Sequence, residues 1–188
     1  AVDGYDGQFL RYTERAHVDR NGHIGAWHTE PEQSVLERYI HSAARWRNRI
    51  FVLGGHVHSP VKMDYGDVES AAIRPGGALA PWAVAPTALQ VPRFVASAFA
   101  MGGYLYIVGG HNESERLRSV EYARIYRGGR TGPWRFGPPL HHARSATALA
   151  VAGRRVYVFG GMGDDILNQV EMAAQGPDGM LGHAAAGR

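Results

Sequence analysis

The sequence predicts an all-β fold built from a tandemly repeated, four-stranded antiparallel unit, and three observations support this prediction. The chain has 188 residues, of which 25 are Gly and 10 are Pro, more turn-forming residues than a helical bundle tolerates. An aromatic and β-branched run that ends in Gly-Gly occurs at 49–55, 104–110 and 155–161, at spacings of 55 and 51 residues. Dipeptides suited to tight hairpin turns recur at a similar spacing. Such a period is typical of repeated small sheets.

Each unit is predicted to contain four strands in a meander. The first strand follows an Arg and carries small residues, which suits a crowded position near an axis. The second is the run that ends in Gly-Gly, the third contains Val-Glu, and the fourth contains a Trp such as Trp82 or Trp134. The dipeptides between the third and fourth strands tolerate positive φ angles, and they are Asn21-Gly22, Gly76-Gly77, Gly128-Gly129 and Asp178-Gly179.

A partial unit is predicted at the start of the chain. Thr13-Glu14 and Trp27 have the spacing of a third and a fourth strand, and the missing Gly-Gly would fall immediately before Ala1. The chain is therefore predicted to be one domain, in which residues 1–33 form half a unit and the last strand is incomplete, with Ala184 at the Trp position. The three further units span 34–88, 89–139 and 140–188.

The Gly-Gly doublet after an aromatic strand, the Trp near the end of the unit and the Arg that opens the next unit resemble the kelch repeat of β-propellers. The repeat length and the Val-Glu to Gly-Pro-Trp hairpins are especially similar to bacterial kelch-type propellers. This resemblance covers essentially the whole chain and implies about three and a half propeller blades. Closed propellers have four to eight blades. Two alternatives stay open: a segment of a longer propeller, or copies of the chain that complete a ring by self-association.

One face of the predicted disc is favoured for binding. In a meander, the connections from second to third strand and from fourth to first strand share a face. The loops after Gly-Gly span 56–67, 111–119 and 162–169 and differ in length, and variation on one face of a repeat protein marks a binding face. The tight Gly turns on the opposite face are predicted to leave little room for function.

The resemblance implies that residues after Gly-Gly and near the opening Arg line a central pocket. Arg and His donors at such a mouth would suit carboxylates or carbohydrate hydroxyls. For the arginines, an equally open alternative is that each one binds backbone carbonyls of the neighbouring blade. The recurring Trp residues are interpreted as packing between blades, and the recurring Glu residues as partners of backbone or Arg groups. The candidate ligand-binding residues are Arg38, His56, His58, Arg93, His111, Asn112, Glu113, Arg144, Met162 and Asp164.

Composition excludes several kinds of site. The absence of Cys excludes disulfides, thiolate metal sites, cysteine nucleophiles and the Tyr–Cys copper site of galactose-oxidase-like propellers. The net charge is +3, and 19 scattered Arg residues form no basic cluster, so no nucleic-acid partner is predicted. The longest charge-free apolar stretch, 94–110, is too short and too rich in Gly for membrane insertion. His56 and His58 together with His111, Asp164 and Asp165 form a possible metal set, but a His-x-His loop is usually only polar, so no metal or cofactor is predicted.

The favoured hypothesis is a binding or scaffold module that recognises a protein loop or a glycan through the loop face. One alternative is a sugar-acting enzyme similar to a sialic-acid epimerase, in which Glu113, Asp164 and the loop histidines supply an acid and a base. The other is a structural, self-assembling propeller fragment. The sequence shows no triad spacing, HExxH motif or nucleophile elbow, so a binding role is favoured over catalysis. The ligand and the compartment stay open, although bacterial members of the resembled family are often exported.

Overall fold

The computed structural model describes residues 1–57, 64–183 and 185–187, the last range as backbone only. Its strands form four antiparallel sheets, in each of which the strands follow one another in chain order. The first sheet contains β1 (Val2–Tyr5), β2 (Phe9–Val18) and β3 (Ile24–Thr29), and the second contains β4 (Ser42–Trp46), β5 (Arg49–Leu53), β6 (Val68–Ala72) and β7 (Ala83–Val84). The third contains β8 (Ser97–Met101), β9 (Tyr104–Val108), β10 (Val120–Arg124) and β11 (Arg135–Gly137), and the fourth contains β12 (Ala148–Ala152), β13 (Arg155–Phe159), β14 (Val170–Ala174) and β15 (Ala185–Gly187).

These sheets confirm the predicted all-β fold of antiparallel meanders. The first strands β4, β8 and β12 are neighbours, so they form the inner side of an arc of sheets, and the four sheets do not close into a ring. A short 3₁₀ turn, Arg127–Gly129, lies in the connection between the paired strands β10 and β11. Within the described part of the chain, no helix is long and apolar enough to cross a membrane.

The first sheet differs from the sequence prediction. It has three strands, because β1 pairs with β2. In this pair Val2 lies opposite Thr13, as Leu53 lies opposite Val68 in the second sheet. Asp3-Gly4 therefore stands where the later units have Gly-Gly, with φ angles of 50° and 148°. The prediction that this doublet falls before Ala1 is wrong, since Asp takes the left-handed conformation more readily than most residues.

The Gly-Gly doublets join neighbouring sheets. The second glycine donates its N–H to the carbonyl oxygen of the next unit's Arg, at 2.9 Å from Gly55 to Arg93 and at 2.8 Å from Gly110 to Arg144. A Cβ on the first glycine of either doublet would overlap that same carbonyl oxygen. The glycines are thus needed for close backbone approach as well as for their positive φ angles.

Three apolar clusters fill the spaces between successive sheets. Trp82 packs with Leu79 against Val2 of the first sheet, and Trp134 packs between the second and third sheets, which confirms the interpretation of these two residues. Between the third and fourth sheets, Tyr106 stacks on Phe99 at 4.6 Å and donates its hydroxyl to the Gly179 carbonyl at 2.6 Å. The cluster between the third and fourth sheets therefore combines burial with a specific backbone contact.

Trp27 is the exception among the recurring tryptophans. Its side chain is 56% exposed, although its position in the unit matches that of Trp82. Trp82 packs on the side of its sheet that faces the preceding sheet. The equivalent side of the first sheet faces away from the second sheet. Within the residues that the structure describes, the interpretation of Trp27 as packing between blades is therefore wrong. Ala184, the predicted Trp position of the last unit, lies outside the described residues.

Candidate functional site

The recurring Arg and Glu residues form buried ion pairs that bind the backbone directly before each loop. Arg93 Nη2 lies 2.5 Å from Glu121 Oε1, and its Nη1 donates to the Gly109 carbonyl at 3.0 Å. The Glu121 carboxylate also accepts the backbone N–H groups of Gln90 and Val91. The same arrangement pairs Arg38 with Glu69 at 2.8 Å and Arg144 with Glu171 at 2.7 Å. All six side chains are at most 1% exposed.

These contacts favour the structural role for the three arginines. Each guanidinium group binds a carboxylate and the carbonyl of the first doublet glycine in its own unit, not in the neighbouring unit as the sequence interpretation supposed. Because the side chains are buried, Arg38, Arg93 and Arg144 offer no donor at the surface. The interpretation of the recurring glutamates as partners of backbone and Arg groups is confirmed for Glu69, Glu121 and Glu171.

A row of rings lies on the loop face, and we call Tyr5, Tyr39, His56, Phe94 and His111 the axial ladder. Successive rings are in contact, with centroid distances of 5.3, 5.3, 5.2 and 5.3 Å along the row. The row forms because the residue after each recurring Arg makes a β-bridge to the residue after the doublet. His56 and His111 both contact Phe94, so the loops that follow the first two doublets lie on the same face, as predicted.

Sequence reasoning placed His56 and His111 near the axis but missed Tyr39 and Phe94. A signal for them was present, since the residue directly after the recurring Arg differs between units: Tyr39, Phe94 and Ser145. In the fourth sheet the equivalent bridge pairs Ser145 with Met162, and the Met162 side chain is 48% exposed. Aligning the units in register and searching for differences beside the invariant residues would have identified these positions.

A histidine–carboxylate pair lies within the loop after the first doublet and is linked to the loop after the second. His56 Nδ1 lies 3.4 Å from Asp64 Oδ1, and both side chains are largely buried. Burial raises the pKa of Asp64, an effect opposed by His56 and by a hydrogen bond from the backbone of Glu113. The carboxylate therefore connects the loop after the first doublet to the loop after the second. His58, the other candidate in this loop, lies outside the described residues.

The remaining candidates lie at different places on the loop face. Asp164 lines a cavity of about 500 Å³ between the second and third loops, together with Glu115, Arg116, His142 and Asp165. Asn112 shapes its own loop, because its Oδ1 accepts the N–H groups of Ser114 and Glu115 at 3.0 and 2.8 Å. Glu113 is exposed and lies outside that cavity's lining. Among the described residues, no three His, Asp or Glu side chains are arranged to hold a metal ion.

The opposite face contains a larger cavity. It has a volume of about 830 Å³ and lies between the hairpin turns of the second and third sheets. The prediction that the tight turns leave little room for function is therefore wrong. Each turn is short, as predicted, but adjacent turns diverge and leave a groove between them.

Comparisons with known proteins agree with this architecture. A family model for the kelch motif matches residues 92–122. The chain is 30% identical to the mouse Kelch-like protein 35 over 142 residues, which cover 76% of this chain and 22% of that protein. It is also 30% identical to an F-box/kelch-repeat protein of Arabidopsis thaliana over 86 residues, which cover 45% of this chain and 20% of that protein. The chain thus spans about a fifth of the length of these curated relatives.

The solved structure of YjhT has the same fold. It superposes with a TM-score of 0.73 over 96% of this chain and 53% of YjhT, at 9% sequence identity. The repeat signature, the four meander sheets and these similarities lead to one assignment: the chain is a kelch-repeat protein with a β-propeller fold.

Proposed function

We propose that the chain is a protein-interaction module that binds a peptide loop of a partner across the axial ladder. Kelch repeats are generally protein-interaction modules. The observation that carries the proposal is the continuous row of partly exposed rings on the face that bears the loops of unequal length. Aromatic side chains are enriched at protein interfaces because they bury a large area with few rotatable bonds.

The surroundings of the axial ladder have the composition of an interface rim. The neighbouring cavity is lined by charged groups of both signs, among them Glu115, Arg116 and Asp164. A polar, mixed-charge rim around an aromatic centre is the usual anatomy of a protein–protein interface. The hydrogen bonds within the Asn112 turn hold this part of the rim in one conformation, which lowers the entropic cost of binding.

A peptide suits the axial ladder better than a sugar. Several rings meet at steep angles, 78° between Tyr39 and His56 and 62° between His56 and Phe94. In these two pairs the edge of one ring covers part of the face of the other, whereas stacking on a sugar needs an open ring face. Of the two carboxylates suggested for a sugar-acting enzyme, only Asp164 lines the loop-face cavity. These observations support binding of a protein segment.

A peptide display library tests the proposal. Peptides are selected on the wild-type chain, and their affinities are measured for Phe94→Ala and for Phe136→Ala, a matched control at an exposed phenylalanine on β11. We expect Phe94→Ala to weaken binding by about tenfold or more, as for an interface aromatic, and Phe136→Ala to leave it unchanged. Peptides that bind both variants as well as wild type would contradict the proposal. So would a Phe94-dependent response confined to a panel of neutral and acidic oligosaccharides.

One observation favours self-association as a second property. Val18, Ile24 and Trp27 are each more than half exposed on neighbouring strands of the first sheet. A second copy of the chain would bury these apolar side chains. Sedimentation velocity of the wild type and of Trp27→Ser tests this: we expect a concentration-dependent dimer that Trp27→Ser weakens. A wild-type chain that stays monomeric at high concentration would contradict it.

A further inference from the structure

The cavity between the hairpin turns of the second and third sheets is built mainly from three segments. Residues 46–49 form the turn that joins β4 to β5, residues 102–104 form the corresponding turn of the third sheet, and residues 124–129 lead from β10 toward β11. We call this cavity the arginine groove. It lies on the face opposite the axial ladder, so a ligand bound there would not compete for the surface of the proposed function.

The arginine groove carries concentrated positive charge. Arg47, Arg49, Arg124 and Arg127 line it, and its lining contains no carboxylate. None of these four arginines takes part in a salt bridge with another described residue. Asp178 follows the lining residue Pro177 and lines an adjoining cavity to which Arg124 also contributes. Its Oδ1 accepts the Met180 N–H, and it forms no salt bridge with Arg124. The groove therefore has four guanidinium groups without a carboxylate partner in the described protein.

Two of these guanidinium groups contact neutral neighbours. Arg124 lies 5.7 Å from the centroid of the Tyr104 ring and 5.9 Å from that of Tyr126. Arg49 donates to the Ser70 hydroxyl at 3.1 Å and crosses Gly129, where any Cβ would overlap its side chain. Contacts of this kind restrict the arginine side chains before a ligand arrives, which reduces the entropy lost on binding.

The chemistry of the arginine groove selects an acidic ligand of moderate length. A guanidinium group matches a carboxylate with two parallel hydrogen bonds, and clusters of arginine are a recurrent means of recognising acidic peptide motifs. The volume of about 830 Å³ exceeds what a single small anion fills and lies within the range of pockets that enclose extended ligands. Stacking of nucleic-acid bases is disfavoured, because Arg124 already lies over the Tyr104 and Tyr126 rings.

We propose that the arginine groove binds an extended, acidic peptide segment whose Asp or Glu carboxylates pair with Arg47, Arg49, Arg124 and Arg127. The site would give this chain a second recognition surface, selective for charge, on the face opposite the axial ladder. Its affinity should fall as salt concentration rises, because exposed charge pairs are screened.

Fluorescence anisotropy with a labelled octapeptide rich in glutamate tests the proposal. The test variant is Arg47→Gln/Arg124→Gln, and the control is Arg20→Gln/Arg155→Gln, which removes the same net charge from two exposed arginines outside the groove. We expect the test variant to bind the octapeptide about tenfold more weakly than wild type, and the control to bind within about twofold. The matching octapeptide with glutamine in place of glutamate should bind about tenfold more weakly to the wild type.

Three results would overturn the proposal. The first is equal loss of affinity in both double variants, which would indicate nonspecific charge attraction. The second is equal binding of the glutamate and glutamine peptides. The third is competition in which a single-stranded octanucleotide or inorganic phosphate displaces the peptide and itself binds more tightly, which would assign the groove to nucleic acid or to a small anion. Far-UV circular dichroism of each variant confirms that the sheets are intact.

Discussion

Arg93 and Arg124 belong to the same repeat unit and have opposite surroundings. Arg93 is buried and binds Glu121 and three backbone carbonyls, whereas Arg124 is exposed at the end of β10 and lies over two tyrosine rings. Arg93 recurs as Arg38 and Arg144. The positions equivalent to Arg124 are Ala72 and Ala174.

In this repeat, recurrence separates the structural arginines from the others. A polar side chain that recurs in every unit satisfies a need that every unit has, here the carbonyl of the doublet glycine and the buried glutamate. A polar side chain that occurs in only one unit answers no such need and is available for a ligand. The buried arginines should therefore matter for folding, and the groove arginines that occur in one unit only, such as Arg124 and Arg127, for binding.

The largest expected effect is that of breaking a buried pair. Arg93→Met leaves the Glu121 carboxylate buried without its cation, so we expect the free energy of unfolding to fall by about 3–5 kcal/mol. Arg93→Met/Glu121→Leu should lose less than the sum of the two single variants, since it removes the unpaired charge. Urea denaturation measures all three. A loss below about 1 kcal/mol for Arg93→Met would contradict the structural role.

A smaller loss of stability is expected on substitution of Gly109, the first glycine of the second doublet. Gly109→Ala places a Cβ against the Arg144 carbonyl at a φ angle of 58°, so we expect a loss of about 2–4 kcal/mol. Gly76→Ala has a similarly positive φ angle of 85° but meets no atom within 4 Å, so about 1 kcal/mol is expected there. The two variants separate close approach from backbone conformation in the same denaturation experiment. Equal losses would show that the doublet does not depend on close packing.

The free energy of unfolding should depend on pH through two ionisable groups that do not belong to the buried Arg–Glu pairs. Burial lowers the pKa of His41 to about 4 and raises that of Asp3 to about 6. The contribution of His41 is present above pH 6.5 and is lost as pH falls toward 4, by roughly 3 kcal/mol. Asp3 acts in the opposite direction, because its contribution is present below pH 4 and is lost as pH rises through about 6.

Two variants separate these contributions. His41→Gln should flatten the loss of stability between pH 6.5 and 4, and Asp3→Asn should be more stable than wild type above pH 6 relative to its stability at pH 4. Urea denaturation across this range measures both. A His41→Gln variant with the same acid-side slope as wild type would contradict the assignment of that slope to His41.

The smallest effect on stability is expected in the arginine groove. Arg127→Gln should change the free energy of unfolding by no more than about 0.5 kcal/mol, because the side chain is exposed. The same variant should weaken binding of the glutamate octapeptide by about two- to threefold, as for one exposed charge pair. Calorimetry and anisotropy on the same sample measure the two effects. A destabilised Arg127→Gln variant with unchanged binding would contradict the binding role and indicate a structural role for Arg127.

Most of the fold was predictable because its signals are local and repeated. The aromatic run before Gly-Gly, the Val-Glu pair and the turn dipeptides predicted the strands of the second, third and fourth sheets. β1 was missed because Asp3-Gly4 performs the task of the doublet with a different residue, and a pattern of glycines does not reveal that substitution. Trp27 was misinterpreted because its sequence position matches Trp82, while its exposure depends on what faces its sheet.

The candidate site was predictable only in part. The prediction that the loops after the first two Gly-Gly doublets share a face is confirmed, because the Phe94 ring contacts both His56 and His111. Tyr39 and Phe94 were missed because aromatic residues beside a recurring Arg look like core residues in a single sequence. The arginine groove was missed because its walls come from turns of two sheets, each of which is too short to suggest a cavity.

The spacing of residues along this chain was enough to determine the repeat, the order of the strands and the face on which the long loops emerge, because strand pairing in a meander involves segments adjacent in sequence. Burial of Arg93, exposure of Arg124, formation of the axial ladder and opening of the arginine groove were decided only when neighbouring sheets came together. Those properties depend on the distance between side chains of different units, and that distance is set by the packing of one sheet against the next.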